Sequence, residues 1–121
     1  MARGEILIVD DEMEVREFLK DFFEDRGFNV TVASNGQEGF EIIRQQDFDL
    51  ALCDMLMPVM IGMEFLRRVR ELKPAQKIII MTGVKEGSMI EKAKALGCDL
   101  YLFKPIRLKE LEEHVLRFFP D

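Results

Sequence analysis

Five polar residues stand where apolar runs of this chain stop. Ile6-Leu7-Ile8-Val9 ends in Asp10-Asp11, Leu50-Ala51-Leu52-Cys53 in Asp54, Ile78-Ile79-Ile80-Met81 in Thr82, and Leu100-Tyr101-Leu102-Phe103 in Lys104-Pro105. Three carboxylates gathered in one place repel each other until a cation or a proton relieves them. The ligands on offer are oxygens. His114, the single histidine, falls in the last helical segment, and Cys53 and Cys98 form no Cys-x-x-Cys pair. A hard cation, Mg²⁺ with Mn²⁺ as the alternative, therefore suits the set better than zinc. Lys104 adds an ammonium suited to a phosphoryl oxygen, and Thr82 adds a hydroxyl. A carboxylate nucleophile, a metal and an ammonium together describe phosphoryl transfer. Asp54 is the candidate nucleophile, because it stands alone on a central strand while Asp10-Asp11 can hold metal.

The elements that must position these residues follow from hydrophobic period. Continuous apolar runs of four or five residues between helical segments read as strands of a parallel sheet buried on both faces. They are expected at about 5–9, 28–33, 50–53, 77–81 and 100–103, the second alternating Phe28, Val30 and Val32 as a more exposed edge strand would. Between them lie amphipathic segments, clearest in Val15, Phe18, Leu19, Phe22 and Phe23 and in Leu108, Leu111, Val115, Phe118 and Phe119. Gly27 fits a helix C-cap, and Ser34-Asn35-Gly36 is a turn with a candidate N-cap. The segment around Ser88–Leu96 has the weakest periodicity. Five strands alternating with five helices give an α/β, flavodoxin-like, doubly wound (βα)5 fold with strand order 2-1-3-4-5. That order places Asp10, Asp11 and Asp54 in the crevice between the first and third strands, at the carboxyl ends where ligands bind in such sheets.

Composition narrows the partners. At 121 residues the chain is read as one domain over 1–121. A net charge of −6 and dispersed basic residues argue against direct nucleic-acid binding. No apolar stretch reaches the roughly 20 residues of a membrane helix, and Met-Ala-Arg-Gly-Glu is unlike a signal peptide. Two lone cysteines, read as reduced and buried, fit a cytoplasmic location.

Val9-Asp10-Asp11-Glu12, Asp54-Met55-Leu56-Met57-Pro58, Thr82-Gly83 and Lys104-Pro105 resemble, in order and spacing, the receiver domain of two-component response regulators. The likeness spans nearly the whole chain and leans toward single-domain chemotaxis and sporulation-phosphorelay regulators. It implies a phosphoryl group passed to Asp54 from a histidine kinase or phosphotransfer protein. Asp11, Asp54 and the Leu56 carbonyl would bind Mg²⁺, with Asp10 acting mainly through water. Thr82, Lys104 and the backbone amides of Met55 and Gly83 would contact the phosphoryl oxygens. Tyr101 would be the switch aromatic, moving with Thr82 to change the surface of the fourth helix, fifth strand and fifth helix for a downstream effector or fused output domain. The Lys104-Pro105 bond would be cis. Ile61 departs from the family, which often carries an acid before Gly62.

Two further expectations concern partners and lifetime. Val15, Phe18, Pro105 and Ile106 should form a partly exposed apolar anchor for the phosphodonor protein. Leu56 and Val84, apolar beside the acceptor, should slow hydrolysis, because neither can orient a water.

Singly, each residue has an ordinary reading: Asp10 or Asp11 as a helix cap, Lys104 as a solvated surface group, Tyr101 as packing. A haloacid-dehalogenase-type phosphatase would place its acids in Asp-x-Asp and needs length for a cap. A flavodoxin would need a loop without two acids to seat a flavin phosphate. A pseudo-receiver would lack some of the chemical positions, and all are filled here.

Overall fold

A computed structural model describes residues 3–54, 62–83 and 87–119. Five strands and five helices alternate: β1 (Glu5–Val9), α1 (Met13–Glu24), β2 (Asn29–Ala33), α2 (Gly36–Gln45), β3 (Leu50–Cys53), α3 (Gly62–Leu72), β4 (Ile78–Thr82), α4 (Gly87–Ala95), β5 (Leu100–Phe103) and α5 (Leu108–Leu116). The sheet is parallel throughout, in the order β2-β1-β3-β4-β5. This is the expected doubly wound fold. Met55, Leu56, Ile61 and Val84 lie outside the described residues.

Alternation along each strand feeds two cores. On one face, Leu7, Val9, Ala51, Cys53, Ile78 and Ile80 pack with Ile43 of α2, Phe65 and Val69 of α3 and Ala93 of α4. On the other, Ile6, Ile8, Leu50, Leu52, Ile79 and Met81 pack with Leu19 and Phe23 of α1 and with Leu111 and Val115 of α5. The central strands β1, β3 and β4 are buried almost end to end, whereas β2 shows one buried residue in five. The edge expectation for β2 holds.

Helix ends explain the small shifts in boundaries. Gly27 has φ +93°, its amide donates to Glu24 O at 3.0 Å and Phe28 N donates to Phe23 O at 3.1 Å. Phe28 thus completes the C-cap of α1 and β2 starts one residue later, at Asn29. Gly97 repeats the device after α4, with φ +93° and Cys98 N donating to Ala93 O. Asn35 caps α2 by accepting from Glu38 N at 2.8 Å. β4 is shifted by one from the expected 77–81, because Lys77 contributes only its carbonyl to Ala51 N while Thr82 pairs with Phe103. Cys98 is half-buried rather than buried, because it sits in the turn after Gly97; Cys53 is fully buried and both thiols are free. No helix among the described residues is long and apolar enough to cross a membrane.

Candidate functional site

The residues that end the strands are held by the sheet itself. Asp10 N donates to Ala33 O at 3.1 Å, Asp54 N to Val9 O at 3.0 Å and Lys104 N to Thr82 O at 2.9 Å. Each ladder therefore runs one step past its strand and fixes the backbone from which a functional side chain leaves. Arg16 of α1 also donates through Nη1 to Asp10 O at 2.9 Å. Rigid elements, not loops, set the position of the two buried acids and the lysine.

Lys104 Nζ lies 3.0 Å from Asp54 Oδ2, 3.5 Å from Asp10 Oδ2 and 4.0 Å from Glu12 Oε1. Asp10 is fully buried, Asp54 is 6% exposed and Thr82 1%. Burial pushes the Asp10 carboxyl above its ordinary value of 3.8; the Glu12 N–H and Lys104 oppose this, and the charge of Asp54 adds to it. For Lys104, burial pulls the ammonium down, but hydrogen bonds and attraction from Asp54 and Asp10 outweigh it and the net shift is up. The lysine stays charged across the neutral range. Burial pushes the neighbouring Cys53 thiol well up, with Asp54 and Asp10 reinforcing it, which favours the neutral thiol over the thiolate.

Asp10, Glu12 and Asp54 each offer a carboxylate oxygen, all within 4.8 Å of one another. Three hard oxygens with two of the residues desolvated fit a divalent cation of the Mg²⁺ type. Asp11, the expected direct ligand, is exposed and is not among this trio. Asp10 Oδ1 accepts from Glu12 N at 2.9 Å, and Glu12, exposed like Asp11, reaches the other two acids from this turn. Glu12 was available to sequence reading as the third acid of its run, but no strand or helix period crosses the turn between β1 and α1 to choose between 11 and 12.

Thr82 and Tyr101 come to the same face. Ile80 pairs with Tyr101 and Thr82 with Phe103, so the four residues share one side of the β4–β5 ladder. Tyr101 is buried in the core beneath α3 and α4, 9% exposed, with its ring 5.4 Å from that of Phe103. The inward position is thus the one the ring adopts in this structure. Gly83 follows Thr82 and is exposed. The backbone groups expected of Met55 and Leu56 and the side chain of Val84 fall outside the described residues.

Beside the acids, Val15 and Phe18 of α1 face Pro105 and Ile106 across an apolar groove of about 510 Å³ floored by Leu19, Met81 and Leu111. Phe18 is 55% exposed, so it is not core. Glu12 and Lys104 also line the groove, so it opens directly onto the acid site. The Lys104-Pro105 peptide is cis.

Comparison with known proteins gives one consistent result. A family model described as the response regulator receiver domain matches residues 6–116. Sporulation initiation phosphotransferase F of Bacillus subtilis (strain 168) is 34% identical over 120 residues, covering 99% of this chain and 97% of that protein. Transcriptional regulatory protein CrdR of Helicobacter pylori is 32% identical over 96% of this chain, which spans only 55% of CrdR. Among solved structures, the Thermotoga maritima response regulator TrrA, described in complex with Mg²⁺ and BeF, superposes with a TM-score of 0.86 at 31% identity, covering 98% of this chain and 99% of that one. The Vibrio cholerae chemotaxis protein CheY4 gives 0.88 at 29% identity, covering 98% of each.

Proposed function

The chain belongs to the response regulator receiver family of two-component signalling, and from that premise we propose that Asp54 accepts a phosphoryl group from a phosphohistidine. Receiver domains interact with histidine kinases or phosphotransfer proteins, and the acidic pocket of Asp10, Glu12 and Asp54 fits a phosphoacceptor site. The observation that carries the reading is Lys104 Nζ at 3.0 Å from Asp54 Oδ2, at the end of a buried central strand.

In the proposed step the P–N bond breaks, a P–O bond forms to an Asp54 carboxylate oxygen, and imidazole leaves. Lys104, already charged and anchored through its backbone to Thr82, faces the incoming phosphoryl oxygens. Asp11, Asp54 and the Leu56 carbonyl, with Asp10 mainly through water and Glu12 beside them, would hold Mg²⁺ or Mn²⁺. When bound, that cation supplies positive charge against the acids and the phosphoryl oxygens. Met55, Leu56 and Gly83 would contribute backbone groups, as in similar receivers. The Thr82 hydroxyl would turn toward the phosphoryl group and bias the Tyr101 ring, altering α4, β5 and α5 for an effector or fused output domain.

The test is direct. Incubation with Mg²⁺ and a small phosphodonor should raise the intact mass by one phosphoryl group, and a chelator should abolish the gain. No adduct under saturating donor and Mg²⁺ would overturn the assignment.

The apolar groove serves as the docking surface for the donor protein in this reading. Ile106→Ala or Val15→Ala removes part of one wall while leaving Asp54 and Lys104 in place. Transfer from the donor protein should slow roughly tenfold, the loss of about 1.4 kcal/mol that one well-placed anchor contributes. Phosphorylation by acetyl phosphate should hardly change. Equal loss in both assays would mean that the groove supports the site rather than the partner.

A further inference from the structure

Glu12 belongs to two features at once. Its carboxylate completes the acid trio, and it lines the apolar groove bounded by Val15 and Ile106. Unlike the side chains of Asp10 and Asp54, which are almost wholly buried, that of Glu12 is 65% exposed. Its backbone amide is tied to Asp10 Oδ1, which fixes the backbone at the mouth of the site, and its carboxylate lies 4.0 Å from Lys104 Nζ. A donor arriving over the groove passes this negative charge before it meets Asp54.

That charge acts unequally on the two chemical classes of phosphodonor. In an acyl phosphate the P–O bond breaks and a carboxylate leaves, so the donor brings two negative charges and its leaving group gains more. In phosphoramidate or a phosphorylated imidazole the P–N bond breaks, and the protonated nitrogen carries positive charge until the bonding pair neutralises it. The bond formed is the same, P–O to Asp54. A carboxylate beside the leaving group opposes the first and favours the second, and only interactions that differ between transition states change the preference.

We infer that Glu12 is a specificity-determining residue that biases Asp54 toward nitrogen-linked phosphodonors and against acyl phosphates. The inference rests on Asp54 being the acceptor. It is separated from a metal-ligand role by working at saturating Mg²⁺, where a loss of metal affinity is made up and an effect of charge on the donor persists.

The experiment compares initial rates of phosphorylation by acetyl phosphate and by phosphoramidate, read by intact mass, for the full chain and for Glu12→Gln and Glu12→Lys at saturating Mg²⁺. One unit of charge difference at roughly 7 Å in a water-like medium is worth about threefold in rate. The ratio of the acetyl phosphate rate to the phosphoramidate rate should therefore rise about threefold in Glu12→Gln and further in Glu12→Lys. The gain should shrink toward the native ratio near 0.5 M salt, where screening shortens the reach of a surface charge to about 4 Å. A ratio unchanged in both variants, or one shifted equally at all salt concentrations, overturns the inference while leaving Asp54 as the acceptor. Failure of both donors to label the native chain overturns the acceptor assignment itself and this inference with it.

Discussion

The two ends of the parallel sheet treat charge in opposite ways. Where strands begin, charged side chains serve the backbone. Asp49 Oδ2 accepts from Glu5 N at 2.9 Å and Asp99 Oδ2 from Ile78 N at 2.8 Å. Arg70 of α3 donates to the carbonyls of Pro74, Gln76 and Gly97 at 2.8, 2.7 and 2.6 Å, joining the α3–β4 turn to the α4–β5 turn. Where strands end, Asp10, Asp54 and Lys104 face one another, and the acids outnumber the ammonium. The beginning of the sheet is tied together by these hydrogen bonds, with Arg70 Nε the one buried side-chain polar atom left without a partner among the described residues. The far end is left with surplus negative charge that an incoming cation can neutralise. Stability is concentrated at one end and chemistry at the other.

If that contrast is right, the largest stability loss should come from the end without chemistry. Arg70→Ala would strip donors from three carbonyls at once; those of Pro74 and Gly97 can turn to water, whereas the part-buried Gln76 carbonyl left without its partner costs about 1 kcal/mol or more. The expected loss is about 1–2 kcal/mol, read as a lower urea midpoint with an unchanged slope. Phosphorylation by a small donor should persist wherever the variant is folded. A stable Arg70→Ala variant with impaired phosphorylation would reverse the comparison.

A smaller effect of opposite sign is expected at the site. Because burial raises the Asp10 pKa, the folded chain holds that proton more tightly than the unfolded chain does. The resulting stabilisation is complete below the ordinary value of 3.8 and is lost as pH rises through the higher folded value. At neutral pH the ionised acid is thus a net burden on folding. Asp10→Asn keeps an oxygen for Glu12 N and removes the charge, so it should stabilise the chelated protein at pH 7 by on the order of 1 kcal/mol. The advantage should fade as pH is lowered through that window. Added Mg²⁺ should stabilise the native chain more than the variant. Destabilisation by Asp10→Asn at pH 7 would mean that Lys104 overcompensates for the crowding of acids.

Much of this was legible in the sequence where a period or a continuous run carried it. The central strands announced themselves because both faces of a doubly covered sheet must be apolar, and the same runs delivered Asp10, Asp54, Thr82 and Lys104 to one end. Val15, Phe18, Pro105 and Ile106 were legible as a shared rim because helix period and strand order together bring them beside the crevice. Glu12 was not, since no strand or helix period crosses the turn between β1 and α1 to bring it beside Asp10 and Asp54. Arg70 was not, because an arginine on an amphipathic helix reads as solvated unless the carbonyls of two distant turns are known to converge on it. Phe28 looked like strand because it is apolar, yet its amide is used to finish α1. In each case local hydrogen bonding decided what composition and period left open.

The most direct measurement locates the phosphoryl group. Phosphorylated chain can be treated with borohydride, which reduces an aspartyl phosphate to homoserine and leaves free carboxylates unchanged. Peptide sequencing by mass spectrometry should then find homoserine at position 54 and aspartate at positions 10 and 11. Homoserine at either of those positions with Asp54 intact, or a phosphoryl group that survives the treatment on His114 or a hydroxyl side chain, would contradict the assignment of Asp54 as the acceptor.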